Sequence, residues 1–236
     1  MSVDFNQFEI LTFDCYGTLI DWETGILNAV RPVLKKHGRD VTDESILELY
    51  SEIEPQMQAG PYRSYREVLN DVMRMIGERN SLKFSPQEND SLAESLKNWE
   101  PFPDTVDALK RLRTKYGLGI ISNIDKDLFA YSFRKLQVEF DNITTADMIA
   151  SYKPNKFNFE MALMKLGRPK EKILHVAESL FHDIEPAKAL GMRTCWVNRR
   201  AAKGYAASKT ANVTPDVEVA DLKQLADAAV GGAASA

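Results

Sequence analysis

Apolar and polar positions follow two different rhythms along the chain. Ile10-Leu11-Thr12-Phe13 is a short apolar run that stops at Asp14 and is followed by a Gly17-Thr18 turn. A strand covered on both faces needs no alternation, so this run predicts a buried strand with a carboxylate at its carboxyl edge. From residue 22 to 99 the spacing becomes helical. Ile26, Leu27, Val30, Val33 and Leu34 share one face, and Ile46, Leu49, Tyr50, Ile53 and Met57 a second, which Pro55 and Gly60-Pro61 should disturb. Tyr65, Val68, Leu69, Val72, Met73 and Ile76 form the clearest face, and Leu92, Leu96 and Trp99 a fourth. Ser64 with Glu67, and Ser85 with Pro86 and Glu88, are capping boxes that predict the starts of the third and fourth helices.

Pro101 and Pro103 stiffen the return from this helical block, after which helix and strand patterns alternate. Strands are predicted at Leu118–Ile121, near Ile143–Thr145, at Ile173–Ala177 and at Arg193–Val197, with amphipathic helices between them. That order calls for an α/β fold with a doubly wound parallel sheet and an inserted α-helical cap. The predicted division is a core of residues 1–20 and 100–230, a cap of 21–99 and a disordered tail of 231–236. Within the core, 201–212 reads as a loose loop, Val217–Val219 as an edge strand and Leu222–Ala229 as a last helix.

Composition narrows the partners. The 236 residues are 44% hydrophobic and 27% charged, as in ordinary globular proteins, and the net charge of −4 offers no electrostatic case for nucleic acid. No apolar run reaches the roughly 18–20 residues of a membrane span, and the first ten residues lack an export signal. Cys15 and Cys195 sit in apolar, strand-like stretches and read as buried thiols of a reducing compartment. The expectation is a cytoplasmic protein acting on a small molecule.

Polar residues recur where the predicted strands end: Asp14, Ser122-Asn123, Lys153 just past the third strand, and Glu178 with Asp183. Each alone has an ordinary reading as a turn former, a helix cap or a surface lysine. Gathered at the carboxyl edge of one parallel sheet, they predict a ligand site.

Phe13-Asp14-x-Tyr16-Gly17-Thr18-Leu19, Ile121-Ser122-Asn123, Tyr152-Lys153-Pro154 and Glu178-Ser179-x4-Asp183 together resemble the four motifs of the haloacid dehalogenase superfamily, across essentially the whole chain. The resemblance implies a Rossmann-like core, an aspartate nucleophile, a covalent aspartyl intermediate and a lysine that keeps the aspartate ionised. Asp14, Lys153, Thr18 and Asp183 are the expected catalytic residues. Lys153 lowers the Asp14 pKa, Thr18 orients the carboxylate, and Asp183 orients the hydrolytic water. Tyr16, Ser122 and Asn123 are expected at the substrate, with Ser122 and Asn123 donating to its carboxylate or phosphoryl oxygens.

Two residues past the nucleophile, phosphatases of the superfamily carry a second aspartate that protonates the leaving alcohol. Tyr16 stands there, and a phenol with a pKa near ~10 is a poor acid at neutral pH. The Asp-x-Tyr-Gly-Thr-Leu form resembles the 2-haloacid dehalogenases, whose halide leaves without a proton. The leading expectation is therefore hydrolytic dehalogenation of a small 2-haloacid, without a cofactor. Other positions depart from that branch. The cap arginine of those enzymes falls near Tyr50-Ser51, leaving Arg63 and Arg66 as substitute substrate-binding candidates. Phe159 replaces a tyrosine six residues past the lysine, and Glu178 and Leu180 replace serine and asparagine. Asp14, Glu178, Asp183 and the Tyr16 carbonyl would suit Mg2+, which makes a Mg2+-dependent phosphatase of a small phosphorylated metabolite the alternative. Glu178 also reads as a hydrogen-bonding support. A non-catalytic, metabolite-binding relative is the second alternative. Dehalogenases of this type are often dimers, so a homodimer is compatible with the resemblance.

Overall fold

The computed structural model describes residues 3–199 and 211–231. Its sheet holds β1 (Ile10–Phe13), β2 (Gly117–Ser122), β3 (Asn142–Thr145), β4 (Ile173–Ala177), β5 (Arg193–Val197) and β6 (Val217–Val219). All pairings are parallel, in the order β3-β2-β1-β4-β5-β6. The chain builds outward from β1 to one edge, returns, and builds from β4 to the other. The change of direction falls between β1 and β4, where a doubly wound sheet leaves a crevice at its carboxyl end.

Alternate residues of the strands feed two apolar layers. Leu11, Phe13, Leu118, Ile120, Leu174, Val176, Cys195 and Val197 face the larger one, and Ile10, Ile121 and Ile173 the smaller. Each fully buried side chain of this size contributes roughly 1.5–3 kcal/mol relative to exposure. The edge strand and last helix form as predicted. Most of the predicted 201–212 loop and nearly all of the predicted tail lie outside the described residues.

Between β1 and β2 come α1 (Trp22–Lys36), α2 (Asp43–Gln58), α3 (Tyr65–Arg79) and α4 (Pro86–Ser95), packed on one another as a helical cap. Both capping boxes close at the expected residues. The second helix differs from expectation, because it runs through Pro55 to Gln58. Proline in the last turn removes one backbone bond, and the buried face of Ile46, Leu47, Tyr50 and Ile53 already holds the helix against its neighbours. The remaining helices are α5 (Thr105–Arg113), α6 (Lys126–Leu136), α7 (Ala146–Ile149), α8 (Phe157–Leu166), α9 (Glu185–Ala189) and α10 (Leu222–Val230). A π-helical turn, Leu180–Ile184, leads into α9 and carries Asp183. Among the described residues, no helix is long and apolar enough to cross a membrane.

Where the chain leaves the cap, Trp99 lies against Gly25 of α1, and a Cβ at Gly25 would stand 2.5–2.6 Å from its indole ring. Trp99 also donates to Ser95 Oγ at 2.9 Å and meets the Tyr16 ring edge-on at 5.7 Å. Gly25→Ala should therefore destabilise the protein by about 1–3 kcal/mol, although alanine favours a helix by about 1 kcal/mol. Chemical denaturation checks this, and a more stable variant would show that Trp99 moves freely.

Candidate active site

Asp14 lies one residue past β1, in the crevice. Its Oδ1 accepts from Lys153 Nζ at 2.8 Å and its Oδ2 from Thr18 Oγ1 at 2.8 Å. Thr18 itself accepts from the Glu178 backbone N–H at 2.9 Å, so its one proton points at Asp14. The turn between them needs Gly17, whose φ is +96° and where a Cβ would stand 2.9 Å from Trp22 Nε1.

Lys153 is 2% exposed and surrounded by acceptors. Besides Asp14, its ammonium donates to Asp183 Oδ1 at 2.7 Å and to the Ile121 carbonyl at 2.9 Å. Asn123 holds the backbone here: its amide donates to the Lys153 carbonyl at 3.0 Å and accepts from the Lys153 N–H at 2.7 Å. The Asn123 side chain thus positions the lysine, and it lines the cleft with one amide N–H left over from these two bonds. Ser122 Oγ is buried beside it without a hydrogen-bond partner among the described residues. Burying a hydroxyl unpaired is unfavourable, and this one lines the cleft.

Two buried carboxylates share one ammonium. Burial pushes the Asp14 carboxyl above its usual range; the Lys153 charge opposes this and the Asp183 charge adds to it. For Asp183, burial acts upward too, but Lys153 and a hydrogen bond from His175 prevail and hold it low. Burial acts downward on Lys153, yet the two carboxylates hold its pKa up. The ammonium does pull on Asp14 as expected, but burial outweighs it.

Tyr16 is turned away from the proton-donor role. Its hydroxyl shares a 2.9 Å hydrogen bond with Ser132 Oγ, and burial, followed by nearby negative charge, raises its pKa well above ordinary. From the cap, Tyr50, Glu54 and Tyr65 reach the same cleft. Tyr65 shares a 3.0 Å bond with Tyr50 and donates to Glu54 Oε1 at 3.2 Å. The core holds this roof through Asp125, whose carboxylate accepts from the backbone N–H groups of Tyr65 at 2.9 Å and Arg66 at 3.0 Å. A carboxylate at the positive end of α3 fastens the cap to the loop after β2.

Arg63 and Arg66 are not brought to the cleft. Arg63 pairs with Asp71 at 2.7 Å, and Arg66 with Glu94 at 2.8 Å and Asp90 at 3.5 Å, all on the cap's outer surface. Their place at the start of α3 turns the guanidinium groups toward acids of the cap instead of toward Asp14. Among the described residues, Lys153 is the only lysine or arginine lining the cleft.

The expected Mg2+ donors do not form a ligand group. Asp14 and Asp183 each commit Oδ1 to Lys153, and no three His, Cys, Asp or Glu side chains converge on a metal position among the described residues. Glu178 lines the cleft beyond Gly17, its Oε2 3.7 Å from the position of a Cβ there. Among the described residues, Asp14, Glu178 and Asp183 therefore do not stand together as one carboxylate group.

A family model described as haloacid dehalogenase-like hydrolase matches residues 11–197. The chain is 27% identical over 194 residues to an (S)-2-haloacid dehalogenase of Pseudomonas fluorescens, covering 80% of this chain and 83% of the relative. It is 28% identical over 221 residues to haloacetate dehalogenase H-2 of Moraxella sp. (strain B), covering 90% and 94%. Among solved structures, the L-2-haloacid dehalogenase of Xanthobacter autotrophicus with chloropropionic acid covalently bound shares the fold, with a TM-score of 0.77 and 19% identity over 93% of this chain and 97% of that one. The match to the family model runs from β1 through β5 and takes in the cap and all four strand-end motifs, and the chain belongs to the haloacid dehalogenase-like hydrolases.

Proposed function

We propose that this hydrolase removes the halogen of a small 2-haloacid through a covalent ester on Asp14. The observation that carries the reading is the state of Tyr16. The place where a phosphatase needs a proton donor holds a phenol tied to Ser132 and shifted away from acidity. A halide leaves with its electron pair and needs no proton, so this defect is harmless to dehalogenation and severe for an alkyl phosphate.

In the first step an Asp14 oxygen attacks C2, the carbon–halogen bond breaks, and the halide departs. Lys153 and Thr18 hold the carboxylate in line throughout. Ser122 Oγ, the unpaired donor beside Asp14, takes one oxygen of the substrate carboxylate. In the second step water attacks Asp14 Cγ and gives its proton to Asp183. The Cγ–O bond to the substrate opens, the product alkoxide recovers that proton as the 2-hydroxy acid, and the Asp14 carboxyl releases the second proton of the water to solvent, which restores the nucleophile. The cleft offers about 90 Å³ of free space beneath the cap, which suits an acid of a few carbons. Chloropropionic acid covalently bound to the Xanthobacter enzyme supports a covalent intermediate.

The test is halide release from a panel of short 2-haloacids with EDTA present throughout. Turnover unaffected by EDTA is expected. Silence on every haloacid, with Mg2+-dependent phosphate release from phosphorylated metabolites, would overturn the reading.

A pH dependence follows from the upward shift of Asp14. The nucleophile works ionised, so activity is complete above its pKa and disappears as pH falls through it. The acid limb of kcat/KM should lie above the ordinary aspartate value of about 3.9. A limb at or below that value would show that Lys153 prevails over burial.

A further inference from the structure

β4 contains a polar residue that the first chemical step never touches. His175 stands between Leu174 and Val176, is fully buried, and is the register partner of Thr12 on β1. Their side chains share a face, and His175 Nδ1 lies 3.0 Å from Thr12 Oγ1. Its Nε2 lies 3.0 Å from Asp183 Oδ1. An ionised carboxylate only accepts, so Nε2 carries a proton and donates to Asp183. Phe159, standing where the dehalogenase resemblance implies a tyrosine, packs edge-on against the imidazole at 5.1 Å. A phenylalanine supplies no hydrogen bond, so on this side the imidazole is the group that reaches Asp183.

Asp183 Oδ1 therefore receives two donors, Lys153 from one side and His175 from the other. Two donors on one oxygen fix the rotation of the carboxylate plane and leave Oδ2 for other work. Lys153 alone would not do this, because it also serves Asp14 and must follow that carboxylate as it changes from anion to ester. The other residues of the strand, Ile173, Leu174, Val176 and Ala177, are all apolar, so a histidine buried among them is held by the two polar partners it meets.

We propose that His175 is a positioning residue for the second half-reaction, holding Asp183 so that Oδ2 takes the proton of the water that opens the Asp14 ester. This rests on the dehalogenase reading above. The water oxygen bonds to Asp14 Cγ, its proton goes to Asp183 Oδ2, and the product oxygen leaves Cγ and takes the proton back. His175 keeps its own proton throughout.

The role separates two rates that a merely structural residue would change together. The first step needs Asp14, Lys153 and Thr18, none of which hydrogen-bonds His175, whereas the second needs Asp183. His175→Asn places an amide where Nδ1 was, able to meet Thr12 but too short for Asp183. His175→Gln reaches the Nε2 position and can still donate.

The experiment is rapid-quench reaction of each variant with 2-chloropropionate, following chloride release and the intact protein mass, with the thermal midpoint measured alongside. His175→Asn should keep the first-turnover chloride burst within about twofold. It should lose about 10–100-fold in steady-state turnover, as expected for one charge-assisted hydrogen bond, and accumulate the covalent adduct. His175→Gln should restore turnover and show little adduct. Loss of burst and turnover together in His175→Asn, without adduct, would overturn the proposal. So would equal behaviour of the two variants at equal thermal midpoints. Wild-type protein forming neither chloride nor adduct from any 2-haloacid would instead overturn the dehalogenase reading, and this role with it.

Discussion

Asp14→Asn is expected to abolish turnover, by at least about 10⁴-fold, and to leave no covalent adduct in the presence of substrate. The replacement is nearly isosteric and Lys153 retains Asp183 as a partner, so the fold should survive. What disappears is the anionic electron pair that attacks carbon. Burial and Thr18 cannot compensate, because both act only on a carboxylate that is already the nucleophile. Circular dichroism should be unchanged while halide release falls to the uncatalysed rate. A folded variant with full turnover would remove Asp14 from the chemistry and with it the reading of the whole cleft.

Lys153→Met should damage both activity and stability. The ammonium is the common partner of Asp14 and Asp183, and all three side chains are nearly or wholly withdrawn from water. Removing it leaves two buried carboxylates facing each other, a change that typically costs about 3–5 kcal/mol. One of the two then takes up a proton, and Asp14 is the one whose pKa is already raised, so turnover should fall at least about 10³-fold at neutral pH. The sign of the pH effect follows from that raised pKa. A carboxyl whose folded pKa exceeds its unfolded value favours the folded state below the unfolded pKa, and this advantage is lost as pH rises through the folded pKa. The variant's deficit should therefore be smallest in acid and grow toward neutrality. Thermal unfolding across that range checks it, and a deficit independent of pH would mean that the lysine acts mainly by packing.

Much of this site could be read along the chain because a parallel sheet converts sequence into position. Asp14, Ser122, Lys153 and Asp183 are far apart in sequence, yet Ser122 ends a strand and the others follow one, and strands laid side by side bring their carboxyl ends together. The helices of the cap were equally open to reading, since Ser64 and Ser85 announce two of their starts. What the chain could not reveal was orientation. Arg63 and Arg66 stand at the right end of α3, but a position on a helix does not say which acids compete for the guanidinium, and Asp71 and Glu94 win. Asn123 adjoins the right motif, but its two bonds to the Lys153 backbone could not be foreseen from its position. His175 left one signal, a histidine inside a central apolar strand, where burial demands a partner. Thr12, opposite it on β1, could be paired with it only once the register was known. Glu54 and Asp125 left no signal, because acidic residues on a helix face or after a strand are common on solvated surfaces.

The covalent ester on Asp14 is the claim on which the other assignments depend, and oxygen exchange tests it most directly. A single turnover of 2-chloropropionate by excess protein in water enriched in oxygen-18 should give lactate whose new hydroxyl carries ordinary oxygen, taken from Asp14. The label should appear instead in the Asp14 carboxylate, found by mass spectrometry of the peptide that contains it. Labelled lactate from the first turnover, with Asp14 unlabelled, would mean that water attacks the substrate directly and would contradict the account.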